Sequence, residues 1–91
     1  MIKKIYKFSA EWCGPCKKLE PIFNNIAKMQ QFQTIDFYTC DVDEDQNQAL
    51  IDKYNIRNIP TIVFADENGN EIKRLVGAIP LDTIIKTIQN I

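Results

Sequence analysis

Histidine is missing from the 91-residue chain, and cysteine occurs only three times. Without histidine there is no Cys–His or Ser–His nucleophile pair, no imidazole base and no imidazole metal ligand. Three cysteines are too few, and odd in number, for a disulfide framework, and they fall one short of a four-ligand structural zinc site. Charge of one sign is not in excess either. Eleven Lys and Arg stand against twelve Asp and Glu, a net charge of −1. Nothing there neutralises a phosphate backbone, so nucleic acid is not an expected partner. No apolar run approaches the ~20 residues of a membrane span. Ser9 and Glu11 interrupt the start too early for a signal peptide, so a cytoplasmic location is expected. Chemistry is left to thiols, carboxylates, lysines and backbone, with no metal expected.

What is present reads as one domain over residues 1–91, with 45% hydrophobic residues and no repeat or linker. Residues 2–9 are β-branched and aromatic and read as a strand. Over 14–31 the period changes: Leu19, Ile22, Phe23 and Ile26 form a helical stripe, with Pro21 expected to kink it. A second strand is expected over 34–42, then a solvated acidic loop from Asp41 to Asp45. A helix over 46–55 should turn Ala49, Leu50 and Tyr54 inward. Strands over 60–65 and 71–77 flank a turn, 66–70, whose Asn68-Gly69 pair is expected to supply positive φ angles. A helix over 80–90 closes the chain. The order is β-α-β-α-β-β-α, a four-stranded mixed sheet flanked by three helices, its first two strands parallel.

The informative residues are Trp12-Cys13-Gly14-Pro15-Cys16. They leave the first strand and open the first helix, the end of an α/β sheet where ligands usually bind. A thiol at a helix N-terminus meets unpaired N–H groups and the positive end of the macrodipole, both of which favour an anion. The pKa of Cys13 is therefore expected in the ~3.5–7.5 range of such motifs, below the ~8.5 of free cysteine. Cys16 follows one turn later, near enough to close a small disulfide ring. Gly14 permits the tight turn, and Pro15 fixes φ in the first turn. Two core cysteines, or half a metal site, are the plainer alternatives.

Trp12-Cys13-Gly14-Pro15-Cys16-Lys17 resembles the active site of the thioredoxin family. The resemblance extends over Phe8–Lys17, Pro21, Asp41-Val42-Asp43-Glu44, Tyr54–Thr61 and Val76-Gly77-Ala78. It implies a minimal thioredoxin fold and a protein-disulfide reductase, with Cys13 as nucleophile, Cys16 as resolving thiol and a redox-active Cys13–Cys16 disulfide. It also implies a cis bond before Pro60 and free backbone groups at Ile59, where a substrate strand could pair. Trp12, Ile59, Pro60, Val76, Gly77 and Ala78 would form an apolar substrate rim; for Val76, core packing is an equal alternative. No cofactor is bound; electrons would come from thioredoxin reductase, which carries flavin and NADPH. The implied partners are disulfide-containing proteins and that reductase, with the chain a monomer. A glutathione-dependent, glutaredoxin-like reductase and a non-redox binding subunit are the rival readings.

The chain departs from the family pattern in three places. It begins at what would be the family's second strand. Lys7 stands where the family buries an acid, six residues before the first cysteine, and Thr39 stands in place of the family's nearby lysine. Lys7 is expected either to lie below the dithiol and stabilise a thiolate, or to extend from the sheet to water. Ser9 replaces a frequent second tryptophan, and Cys40 reads as a small core hydrophobe.

Overall fold

A computed structural model describes residues 1–90. The elements are β1 (Lys4–Ser9), α1 (Gly14–Ala27), β2 (Asp36–Asp41), α2 (Gln48–Lys53), β3 (Thr61–Ala65), β4 (Glu71–Val76) and α3 (Leu81–Gln89). The sheet order is β2-β1-β3-β4. β1 runs parallel to β2, and β3 is antiparallel to both β1 and β4. The order of elements and the strand directions agree with the sequence expectation.

Alternation along β1 divides the core in two. Ile5 packs with Leu19, Phe23 and Ile26 of α1 and with Ile84 of α3. Tyr6 and Phe8 point the other way, to Cys40, Tyr54 and Val63. β3 is buried along its whole length because helices or their loops cover both faces, and so it reads as an unbroken apolar run. Cys40 is buried, as its reading as a core residue anticipated.

Three local expectations fail. The helix expected over 14–31 ends at Ala27, where the Lys28 N–H turns back to the carbonyls of Asn25 and Ile26. A 3-10 turn over Gln30–Phe32 follows. In a continued α-helix of 3.6 residues per turn, Phe32 would face away from Ile26; the tighter turn brings it into the core, 5% exposed. Pro21 sits within α1 without ending it.

The helix expected over 46–55 is a 3-10 turn, Asp45–Asn47, followed by α2. Ala49 lies exposed, while Leu50, Ile51 and Tyr54 form the inner face. Two branched side chains gain more from burial than one methyl, and they set the rotation of this short helix.

In the 66–70 turn only Gly69 has positive φ, at 83°; Asn68 is not in the left-handed region. The Asp66 carboxylate accepts the backbone N–H groups of Asn68 and Asn70, each at 2.9 Å. That side-chain turn replaces the two-residue turn expected from Asn-Gly. Arg74 ties the hairpin to α2, donating to both Glu71 oxygens and to the Tyr54 carbonyl.

Candidate active site at the carboxyl end of the first strand

β1 ends at Ser9, and the chain turns sharply, the Cys13 N–H donating to the Ala10 carbonyl at 3.2 Å. Cys13 is the N-cap of α1, with extended dihedrals (φ −90°, ψ 114°), and its Sγ accepts the Cys16 backbone N–H at 3.3 Å. A sulfur thus fills the place that a serine or aspartate oxygen usually takes at a helix start. No acidic side chain in the first turn competes for those donors. Cys13 and Cys16 are joined as a disulfide, with Cα atoms 5.2 Å apart. Both are buried, at 6% and 3% exposure. Pro15 lies in the first turn, and open space surrounds Gly14.

Ala10 packs with the two cysteines, and Val42 and Ile59 close over them. The Ile59–Pro60 peptide is cis. Ile59 belongs to no strand ladder, and among the described residues its backbone groups bond to no other backbone group. The Pro60 carbonyl accepts the Gly77 N–H at 2.8 Å, bringing the Val76–Ala78 segment alongside. Gly77 takes φ 99°, which explains glycine there. Trp12 and Val76 are 69% and 54% exposed. The core-packing alternative for Val76 is therefore excluded.

Trp12 is anchored. Its indole N–H donates to the Asp43 carboxylate at 2.8 Å. Asp43 lies in the β2–α2 loop, whose turn is set by the Asp41 carboxylate accepting the Asp43 backbone N–H. The role of Asp43 went unread in the sequence, although it sits within a motif already singled out; the signal needed was an exposed indole seeking an acceptor. Shallow hollows flank the rim, one lined by Trp12, Ile56 and Ile59, the other by Pro15, Ala78 and Ile79.

Lys7 does not extend to water: it is 1% exposed. Its backbone lies opposite Thr39 on one side and Ile62 on the other. Its Nζ rests 5.2 Å from the centre of the Phe23 ring, beneath α1. Burial lowers its pKa, and the Glu20 carboxylate pulls part of that shift back. Among the described residues the ion pair is Glu71–Arg74, so Lys7 has no carboxylate within 4.0 Å. A cleft of about 570 Å³ opens beside the helix, its lining including Ser9, Cys16, Glu20 and Thr39. Among the described residues, no group of three or more His, Cys, Asp or Glu could hold a metal ion.

The thioredoxin family profile matches residues 2–90. A thioredoxin of Mycoplasmoides gallisepticum is 38% identical over 78 residues, covering 86% of this chain and 73% of the relative. A chloroplastic thioredoxin of Arabidopsis thaliana is 36% identical over 87 residues, 93% of this chain but 42% of that protein. The chain thus spans less than half the length of that relative. The crystal structure of Malassezia sympodialis thioredoxin superposes with a TM-score of 0.80 at 36% identity, covering 94% of this chain and 72% of that one. The sheet order, the three helices and that superposition together give the expected fold class.

Proposed function

The chain belongs to the thioredoxin family, and from that premise we propose that it is a protein-disulfide reductase working by dithiol–disulfide exchange. One observation carries the reading: Cys13 caps α1 with its own sulfur, at hydrogen-bond distance from the Cys16 N–H and already paired with Cys16. The same N–H would face a thiolate after reduction and stabilise it.

In the reductive half-cycle the Cys13 thiolate attacks a substrate disulfide sulfur. One substrate sulfur leaves as a thiolate and takes a proton. Cys16 loses its proton and attacks the Cys13 sulfur of the mixed disulfide, the second substrate sulfur leaves, and a Cys13–Cys16 disulfide remains. Trp12, Ile59, Pro60, Val76, Gly77 and Ala78 hold the substrate, whose strand can pair with the free backbone of Ile59. Gly14 and Pro15 shape the turn that presents Cys13. Lys7 adds positive potential beneath the dithiol and favours the thiolate. The domain works as one unit over residues 1–91 and as a monomer, with no cofactor of its own. Thioredoxin reductase supplies the electrons from NADPH, in the cytoplasm.

Insulin-disulfide reduction tests this, driven in parallel by dithiothreitol, by NADPH with thioredoxin reductase, and by glutathione with glutathione reductase. Turnover with thioredoxin reductase is expected. Turnover with glutathione alone would place the chain on the glutaredoxin side. Failure with all three reductants would leave the rim as a binding surface only. A Cys13→Ser, Cys16→Ser double variant should lose turnover while keeping its fold.

A further inference from the structure

We propose that Glu20 accepts the proton that Cys16 must lose before it resolves the mixed disulfide. The inference rests on the dithiol reading above and concerns its second step.

Cys16 is the harder of the two thiols to ionise. It is 3% exposed, and its backbone N–H is spent on the Cys13 sulfur. Burial without donors opposes a thiolate. A base is needed, and the strand beneath supplies a lysine, Lys7, in place of a carboxylate. While protonated, Lys7 can stabilise a thiolate but cannot receive a proton.

The cleft reaches Cys16 from the side and offers four carboxylates, Glu11, Glu20, Asp41 and Glu44, with Lys17 the one cation on its wall. Two are committed elsewhere. Asp41 accepts the Asp43 backbone N–H at 2.8 Å, and Glu44 accepts the Gln46 amide at 2.8 Å. Glu11 precedes Cys13 in the turn and shares no helix face with Cys16. Glu20 follows Cys16 by four residues on α1, so their Cβ atoms are neighbours at about 5–6 Å. It is also the carboxylate whose field reaches Lys7. Cys16 and Glu20 therefore share one face of α1 and one cleft. The cleft is roomy and polar enough for water to carry the proton across.

The step balances. Cys16–SH gives its proton through cleft water to the Glu20 carboxylate. The thiolate forms a bond to the Cys13 sulfur, the bond from Cys13 to the substrate breaks, and the substrate sulfur leaves with the electron pair. The proton on Glu20 then returns through solvent to that thiolate. The substrate disulfide gains two electrons and the protein dithiol loses them.

Stopped-flow reaction of the reduced protein with the chromogenic disulfide 5,5′-dithiobis(2-nitrobenzoate) separates the two steps. The first thiolate released reports Cys13, and the second reports Cys16. Glu20→Gln should leave the first phase unchanged, slow the second by about 100-fold at pH 6, the low end for a positioned proton acceptor, and raise its pH midpoint. Glu20→Asp should recover part of the rate. A second phase with the wild-type rate and midpoint in Glu20→Gln would overturn the proposal. So would a loss of that phase confined to Lys7→Met, which would make a neutral Lys7 the acceptor. A wild-type protein that releases no thiolate, or only one, would instead sink the dithiol reading.

Discussion

The indole N–H of Trp12 donates to the Asp43 carboxylate at 2.8 Å, pinning the residue before the reactive cysteine to the loop beyond β2. Without that bond Trp12, 69% exposed, would have little to hold it. With it, the ring stands as one wall of the rim. A fixed ring loses less rotamer freedom when a substrate docks on it. Asp43→Ala is therefore expected to raise KM for insulin about two- to fivefold, since an exposed charge-assisted bond is worth about 0.5–1 kcal/mol. The chain has one tryptophan, so its emission reports the release directly. Unchanged emission and unchanged KM in the variant would show that Asp43 does not set the indole.

Cys13 and Cys16 differ in what they can attack. Cys13 lies at the helix start beside the exposed rim, whereas Cys16 is one turn deeper, with the Cys13 sulfur as its disulfide partner. Cys16→Ser should therefore trap a Cys13–substrate disulfide in near one-to-one yield, and Cys13→Ser should trap little. Intact-mass measurement after reaction with a disulfide peptide reads both. Equal trapping by the two variants would contradict the assigned order of attack.

Lys7 gives stability and function opposite interests. Its folded pKa lies below the unfolded value of ~10.4 because burial opposes the charge. At low pH both states are protonated and the folded one carries the full desolvation cost. As pH rises through the folded pKa toward the unfolded one, the unfolded chain holds more protons, and stability rises with pH. Lys7→Met is expected to remove that slope and to raise stability at pH 7 by about 1–4 kcal/mol, as apolar replacements of buried charge often do. The same variant should raise the Cys13 pKa. Guanidinium unfolding across pH 6–10, with thiolate absorbance at 240 nm, measures both; a less stable variant with an unchanged Cys13 pKa would refute this account of Lys7.

The sheet and the dithiol were legible because their signals are local. Alternation, the stripe of Leu19, Phe23 and Ile26, and a Cys-x-x-Cys at a strand end each follow from neighbours in the chain. What misled was packing at a distance. The first helix stops at Ala27, short of the expected 31, and a 3-10 turn over Gln30–Phe32 seats the Phe32 ring in the core. Asp66 outcompetes Asn-Gly as the maker of its turn through two hydrogen bonds of its own carboxylate. Lys7 could be read either way, since only a helix laid over β1 decides whether its ammonium reaches water. Trp12 and Asp43 meet across 31 residues, and Cys16 and Glu20 acquire a shared cleft only once β2 stands beside β1.

Tyr54 joins the two halves of the fold below the site. Its hydroxyl donates to the Gly69 carbonyl at 2.6 Å, linking the end of α2 to the β3–β4 turn. Burial, chiefly, pushes its pKa up to about 12, and Tyr6, Glu71 and Asp66 add to the effect. The folded value lies above the unfolded ~10. The stabilising contribution is therefore whole below pH ~10 and is lost as pH rises from there toward 12, because the unfolded chain ionises first. This is the reverse of the Lys7 slope, so stability should climb to a maximum on the alkaline side and then fall. Tyr54→Phe leaves the Gly69 carbonyl without its partner and is expected to cost about 1–3 kcal/mol at pH 7. It should also flatten the decline above pH 10. Unfolding midpoints from pH 8 to 11.5, paired with phenolate absorbance at 295 nm, follow both effects. A variant as stable as the parent that shows the same alkaline decline would mean that this hydroxyl is not what holds the turn to the helix.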